Sequence, residues 1–343
     1  MTANSLSIRS KEGSNPTITI CRIVGMLMII FTHLCDQMGS SLTEVFTVGN
    51  SLFFLMSGIL YSNKEINNPL EWVIKRIIRI FLPLYCWIVT RFILTIVAGV
   101  SPLSAYETIL NLLNLQGISK LLMFLPESRG PWFFTMIMVC YLLVLPIKKV
   151  EKIYINQKTK HRILVAVALV MLYIILFFAN INIVWILIYF TGYFIGKKNL
   201  LEKITPKESF LIIFAGIVSG VIRVLYNHIF GNGWFYDAVI IRLSQLLLAL
   251  SIVFFINYIF ILWKDGKRFV NNSWTIRTLD SISVYVYICH AWLINGNLSL
   301  LKLNMPLYSK IVLIVFCSII FASLLYFIWE ALIGKYVRKR MSN

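Results

Sequence analysis

Apolar and polar residues run along this chain in long blocks rather than in the short periods of a soluble helix or strand. A helix needs about 20 apolar residues to cross a bilayer core. Ten stretches come near that length: 18–38, 44–62, 77–98, 131–147, 162–179, 182–196, 209–229, 238–262, 280–297 and 308–332. The sixth is short, and the pair 162–196 divides around Asn180 and Asn182. Segment 103–125 is a moderately apolar loop suited to an interfacial helix or a re-entrant piece. The polar start lacks a small-residue cleavage site, so the first run reads as a retained helix and not a cleaved signal. No repeat relates the halves. The pattern predicts an all-α fold, a polytopic membrane helix bundle of about ten transmembrane helices. It reads as one transmembrane domain over 18–333, between an N-terminal tail (1–17) and a basic tail (334–343).

Loop charge gives the orientation. Lys120, Arg129, Lys302 and Lys310 fall in one alternate set of loops, and Arg22, Arg91, Arg223 and Arg242 fall within spans. Every other Lys and Arg lies in the opposite loops or the tails. An excess of Lys and Arg marks the cytoplasmic side, so both termini are expected to be cytoplasmic.

Composition agrees. Of 343 residues, 59% are hydrophobic and 13% charged, where a soluble domain carries about 25% charged residues. The net charge of +18 does not imply nucleic acid, because the cations sit in short loops rather than on one folded face. Cys21, Cys35, Cys86, Cys140, Cys289 and Cys317 lie in or beside apolar runs. None forms a CxxC pair or a cluster with histidine, so no metal site is expected.

Ionisable groups within a span are costly and call for a reason. Arg22 and His33 lie eleven residues apart in the first span, about 16 Å along one helical face. One reading is a cation snorkelling to headgroups and a histidine bonding a neighbouring helix. The other is a functional stripe. Asp36, three residues beyond His33, is either an interfacial carboxylate or a partner that orients the imidazole. Arg76 and Arg79 at i,i+3 are either flanking charge or a pair of guanidinium groups suited to phosphate. His290, with Tyr287 three residues before it, faces a polar cavity or makes a structural bond. Ser57 and Gly58 allow close helix approach, and Trp132 suits an interface.

Taken in order, these segments resemble the acyltransferase-3 family of membrane proteins. Arg22 and His33 match its Arg-x10-His pattern. Phe53-Phe54-Leu-Met-Ser57-Gly58 looks like its Phe-Phe-x-x-Ser-Gly segment. Arg76-x-x-Arg79 with Pro83 resembles its arginine motif. Trp132-Phe133-Phe134 with Tyr141 and Pro146 resembles its Trp-Phe-Leu…Tyr-Leu-Leu…Pro stretch, and Tyr287-Ile-Cys-His290 its late Tyr-Leu-x-His. The likeness spans about 18–295. It departs at 135–138, where some members carry a glutamate and this chain has Thr135, Met136, Ile137 and Met138. Some members also carry a soluble esterase-like domain after the helices. This sequence has only the basic tail there, so acceptor chemistry is expected in the membrane domain or on a partner.

The resemblance implies acyl transfer from a cytoplasmic acyl-CoA, acetyl-CoA foremost, to a carbohydrate hydroxyl. His33 becomes the general base, with Asp36 and His290 as further catalytic candidates. Arg22, Arg76 and Arg79 become anchors for the donor's phosphates. Ser57, Trp132, Tyr141 and Tyr287 become substrate-binding candidates. The expected partners are membrane lipid, a glycan or lipid-linked sugar acceptor, and envelope-polysaccharide assembly proteins. The expected location is a cell membrane, bacterial plasma membrane first. Two other classes fit the spans: a secondary transporter or lipid-linked sugar flippase, and a non-catalytic assembly subunit. Transporters tend to show paired repeats and helices broken near the midplane, whereas prolines here mostly sit at predicted span ends.

Overall fold

A computed structural model describes residues 15–99, 104–122, 132–154, 170–231, 233–263, 265–296 and 299–329. Among them there is no strand, only one isolated antiparallel bridge between Leu122 and Ile181. The helices are α1 (Pro16–Gln37), α2 (Thr43–Phe46), α3 (Val48–Ser62), α4 (Pro69–Val97), α5 (Ala105–Leu112), α6 (Ile118–Leu121), α7 (Trp132–Tyr154), α8 (170–178), α9 (Val184–Lys197), α10 (Leu200–Lys203), α11 (Pro206–Phe230), α12 (Ile241–Leu262), α13 (Gly266–Asn272), α14 (Trp274–Asn295) and α15 (Leu307–Trp329). A π-turn (Tyr236–Ile240) leads into α12.

Among the described residues, eight spans are long and apolar enough to cross a membrane. They correspond to eight of the ten predicted stretches. In 182–196 the helix is α9, with 14 residues, short for a bilayer. Of 162–179, residues 162–169 lie outside the described residues, and 170–178 are helical. Loop 103–125 holds two short helices, α5 and α6.

Four helices begin earlier than their apolar runs because polar caps set the start. Asn15 caps α1 by accepting from the Thr17 amide, Asn68 caps α4 at Glu71, and Ser273 caps α14 at Ile276. Thr205 and Glu208 form a reciprocal capping box on α11. Proline follows three of these caps, where its missing N–H costs nothing. α4 thus starts eight residues before the predicted 77, and Pro83 falls inside it rather than at its end. Pro146 likewise lies inside α7. Neighbouring groups can satisfy the backbone freed by such prolines.

The chain falls into two compact units: residues 1–63 with 191–323, and 64–190 with 324–343. In the first, α1 packs against α3, α12 and α14, and α11 packs along α12. Glycines make the closest approaches. A Cβ on Gly49 would come within 2.7 Å of the Gly25 carbonyl on α1, so α1 and α3 meet nearly backbone to backbone. Gly192 and Gly196 of α9 are pressed in the same way against the Leu55 and Ile59 backbone of α3. Leu34, Leu52, Phe54 and Val286 are fully buried in this unit. In the second, α7 packs on α4 and α6 around the buried Leu84, Met136, Cys140 and Tyr189.

Candidate active site

The first unit gathers the ionisable residues of α1 and α14. Arg22 Nη2 donates to Asp280 Oδ2 at 2.6 Å. Farther along, the His33 and His290 rings lie 5.1 Å apart, centre to centre, tilted by 39°. Eleven residues separate the two contacts on α1 and ten on α14. The helices therefore run side by side in the same direction, with two polar rungs about 16 Å apart.

His290 is 2% exposed. Its Nδ1 lies 3.0 Å from the Val286 carbonyl. A carbonyl only accepts, so Nδ1 carries the proton and Nε2 keeps a lone pair. That Nε2 is enclosed and has no hydrogen-bond partner among the described residues. Tyr287, 9% exposed, sets its ring 5.7 Å from the His290 ring. His33 is half-buried, and no hydrogen bond joins it to His290 or to Asp36 among the described residues. Asp36 is exposed. The rungs give one end a guanidinium held by a carboxylate and the other a pair of imidazoles, one with a free base nitrogen. Such a pair can take up and release a proton within a span.

A family model described as an acyltransferase domain matches residues 15–328. The chain belongs to the acyltransferase-3 family. No curated protein and no solved structure matches it. The protein is thus a membrane acyltransferase with several apolar spans.

Four of the acyltransferase's remaining candidates lie in the second unit. Arg76 is buried at 9% exposure, with its guanidinium carbon 5.7 Å from the Trp72 ring centre. Arg79, three residues on, is exposed. Lys75 pairs with Glu71 one turn away. The Trp72 ring meets Tyr141 edge-on at 6.1 Å, and Tyr141 meets the buried Tyr189 in the same way. Trp132 packs against Trp185 at 5.1 Å. Thr135, the first residue of the 135–138 stretch noted above, donates to the Asn114 carbonyl and accepts from the Gly117 amide. It ties the 114–117 turn to α7. Ser57, in the first unit, is half-buried on α3.

Two polar groupings escaped the sequence reading. Asp280 stood at the edge of a predicted span, and only the cap at Ser273 places it inside the helix. Glu44 was assigned nothing, yet in the first unit it is the hub of a network. Arg223 Nη1 donates to the Glu44 carbonyl at 2.7 Å and to Thr47 Oγ1 at 3.1 Å. Asn227 Nδ2 and the Tyr236 hydroxyl donate to the Glu44 carboxylate. Burial pushes the Tyr236 phenol above its usual range. Arg223 was visible as a cation within a span, but its partner lies 179 residues away.

Proposed function

We propose that the protein moves an acyl group, acetyl foremost, from a cytoplasmic acyl-CoA to a hydroxyl of a cell-envelope glycan or lipid-linked sugar. The observation that carries this reading is the pair of imidazoles at one end of the α1–α14 stripe, with the Arg22–Asp280 pair at the other. His33 takes the proton of the sugar hydroxyl as its oxygen attacks the acyl carbon. His290, packed on His33 with Nε2 unprotonated, is the second proton acceptor. Arg76 and Arg79 anchor the donor's phosphates. Arg22 is a further candidate anchor for phosphate, while its ion pair fixes α1 against α14 and so sets His33 beside His290. A pantetheine arm lying along the stripe brings the acyl group to His33 while the charged end of the donor stays at the Arg22 end. The proposed bundle has about ten spans with cytoplasmic termini, α8 and α9 supplying two of them.

The test is release of CoA thiol from acetyl-CoA by purified protein, with and without extracted envelope glycans. Wild type should release thiol in a glycan-stimulated reaction. His33→Ala should lower the rate by about 100-fold or more, and Arg76→Ala should raise KM for the donor. Absence of thiol release with several acyl donors, from folded protein supplied with its native glycans, would favour the transporter reading instead.

A further inference from the structure

Two amides of the first unit, one buried and one half-buried, have no part in the site described above. Gln245 on α12 is 6% exposed, and its Oε1 is enclosed without a hydrogen-bond partner among the described residues. Asn50 on α3 is half-buried, and its Oδ1 is likewise enclosed and unmatched. Oxygen and nitrogen ends of an amide can exchange by rotation, so each side chain has a buried end with an unmet bond. Within a membrane span such a group is costly unless it meets a ligand or water.

Contacts between helices fix the depth of both residues by two routes. Thr17 of α1 bonds Asn257 of α12 at 3.3 Å. Gln245 lies twelve residues before Asn257, and Ile29 twelve after Thr17, which makes them level if the helices are antiparallel. Independently, α11 and α12 run antiparallel, with Gly216 against Ser251 and Gly220 against Leu248. Arg223 of α11, one turn past Gly220, bonds Thr47, which sets Gln245 level with the start of α3. There Gly49, the neighbour of Asn50, sits against Ile29. Gln245, Asn50 and Ile29 thus share one depth, and His33 stands one turn, about 6 Å, beyond it. On α12, Gln245 shares a stripe with the buried Ala249 and Ile256, apart from Leu247, Leu248 and Ser251, which meet α11. Among the described residues, α1 and α3 also pack on α12.

We infer that Gln245 and Asn50 form the subsite that binds the acyl carbonyl oxygen of the thioester, one turn from His33 toward the Arg22 end. This inference deepens the proposed function and rests on it. In that function the acyl donor reaches His33 from the Arg22 end, so its carbonyl lies at the depth of these amides. As the sugar oxygen bonds to the acyl carbon, the carbonyl oxygen gains negative charge. Amide N–H groups aimed at it stabilise that charge. The C–S bond then breaks, the ester forms, and the CoA thiolate takes the proton held by His33.

The experiment measures kcat and KM for acetyl-CoA in the thiol-release assay, together with Tm, for wild type, Gln245→Leu, Asn50→Leu and Gln245→Glu. Loss of an oxyanion donor lowers kcat by about 100-fold, with KM within about threefold of wild type. Leucine removes an unmatched polar group, so Tm should hold or rise, whereas a structural amide would lose Tm. Gln245→Glu, whose buried carboxyl stays protonated and still donates, should keep more kcat than Gln245→Leu. Wild-type turnover with kcat retained in the leucine variants, or lost only together with Tm, or an effect on KM alone, overturns this inference and leaves the proposed function standing. A wild type inert toward acyl-CoA overturns both.

Discussion

α14 and α15 follow one another in the chain and obey opposite rules. The span that begins α14 is the least hydrophobic of the eight, yet it is among the most buried. α15 is the most hydrophobic and among the most exposed. Phe316, Val312 and Tyr308 face outward on α15, while His290, Ser283 and Tyr285 are enclosed on α14. In water the relation would be reversed. Here the outer solvent is lipid, which costs an apolar side chain nothing, so polar groups gain only by turning inward to partners. A weakly apolar span is therefore the better place to look for chemistry.

The comparison can be broken at the ion pair. Asp280→Ala leaves Arg22 facing α14 without its carboxylate. Both side chains are partly exposed, at 26% and 18%, so the loss should be about 1–3 kcal/mol, below that of a fully buried pair. It should appear as a lower Tm in detergent, and Arg22→Met with Asp280→Met should recover most of it. Recovery failing would mean that the pair does more than cancel charge. A second break lies where α1 meets α3. Gly49→Ala places a methyl against the Gly25 carbonyl and should cost about 1–2 kcal/mol in the same melt. The smallest effect sharpens the contrast. Phe316→Ala, at a position 59% exposed, should change stability by less than about 0.5 kcal/mol. A larger loss would show that this face of α15 is packed rather than bathed in lipid.

The sequence made the spans legible because block hydropathy responds directly to the solvent. It made Arg22, His33 and His290 legible as well, since each is a polar residue in an apolar run. Asp280 was not legible as a site residue, because it lies where α14 enters its apolar run and only its partner gives it meaning. Glu44 failed for the same reason: its hydrogen bonds reach Arg223, Asn227 and Tyr236, all far along the chain. The start of α4 was missed because Asn68 and Pro69 define it, while hydropathy begins to register only several residues later. Gln245 and Asn50 pass for ordinary polar residues near span ends. Their significance rests on what they do not touch, which no pattern of residue types records.

The Arg22–Asp280 contact joins positions 258 residues apart, and that distance is also an interval of time. A ribosome adds about 5–20 residues per second, so α1 waits for some tens of seconds, roughly, before α14 exists. During that wait the arginine lacks Asp280, and its side chain is long enough to reach the lipid headgroups instead. Arrival of α14 then withdraws it from the headgroups, and the handover places the last-made histidine beside the first.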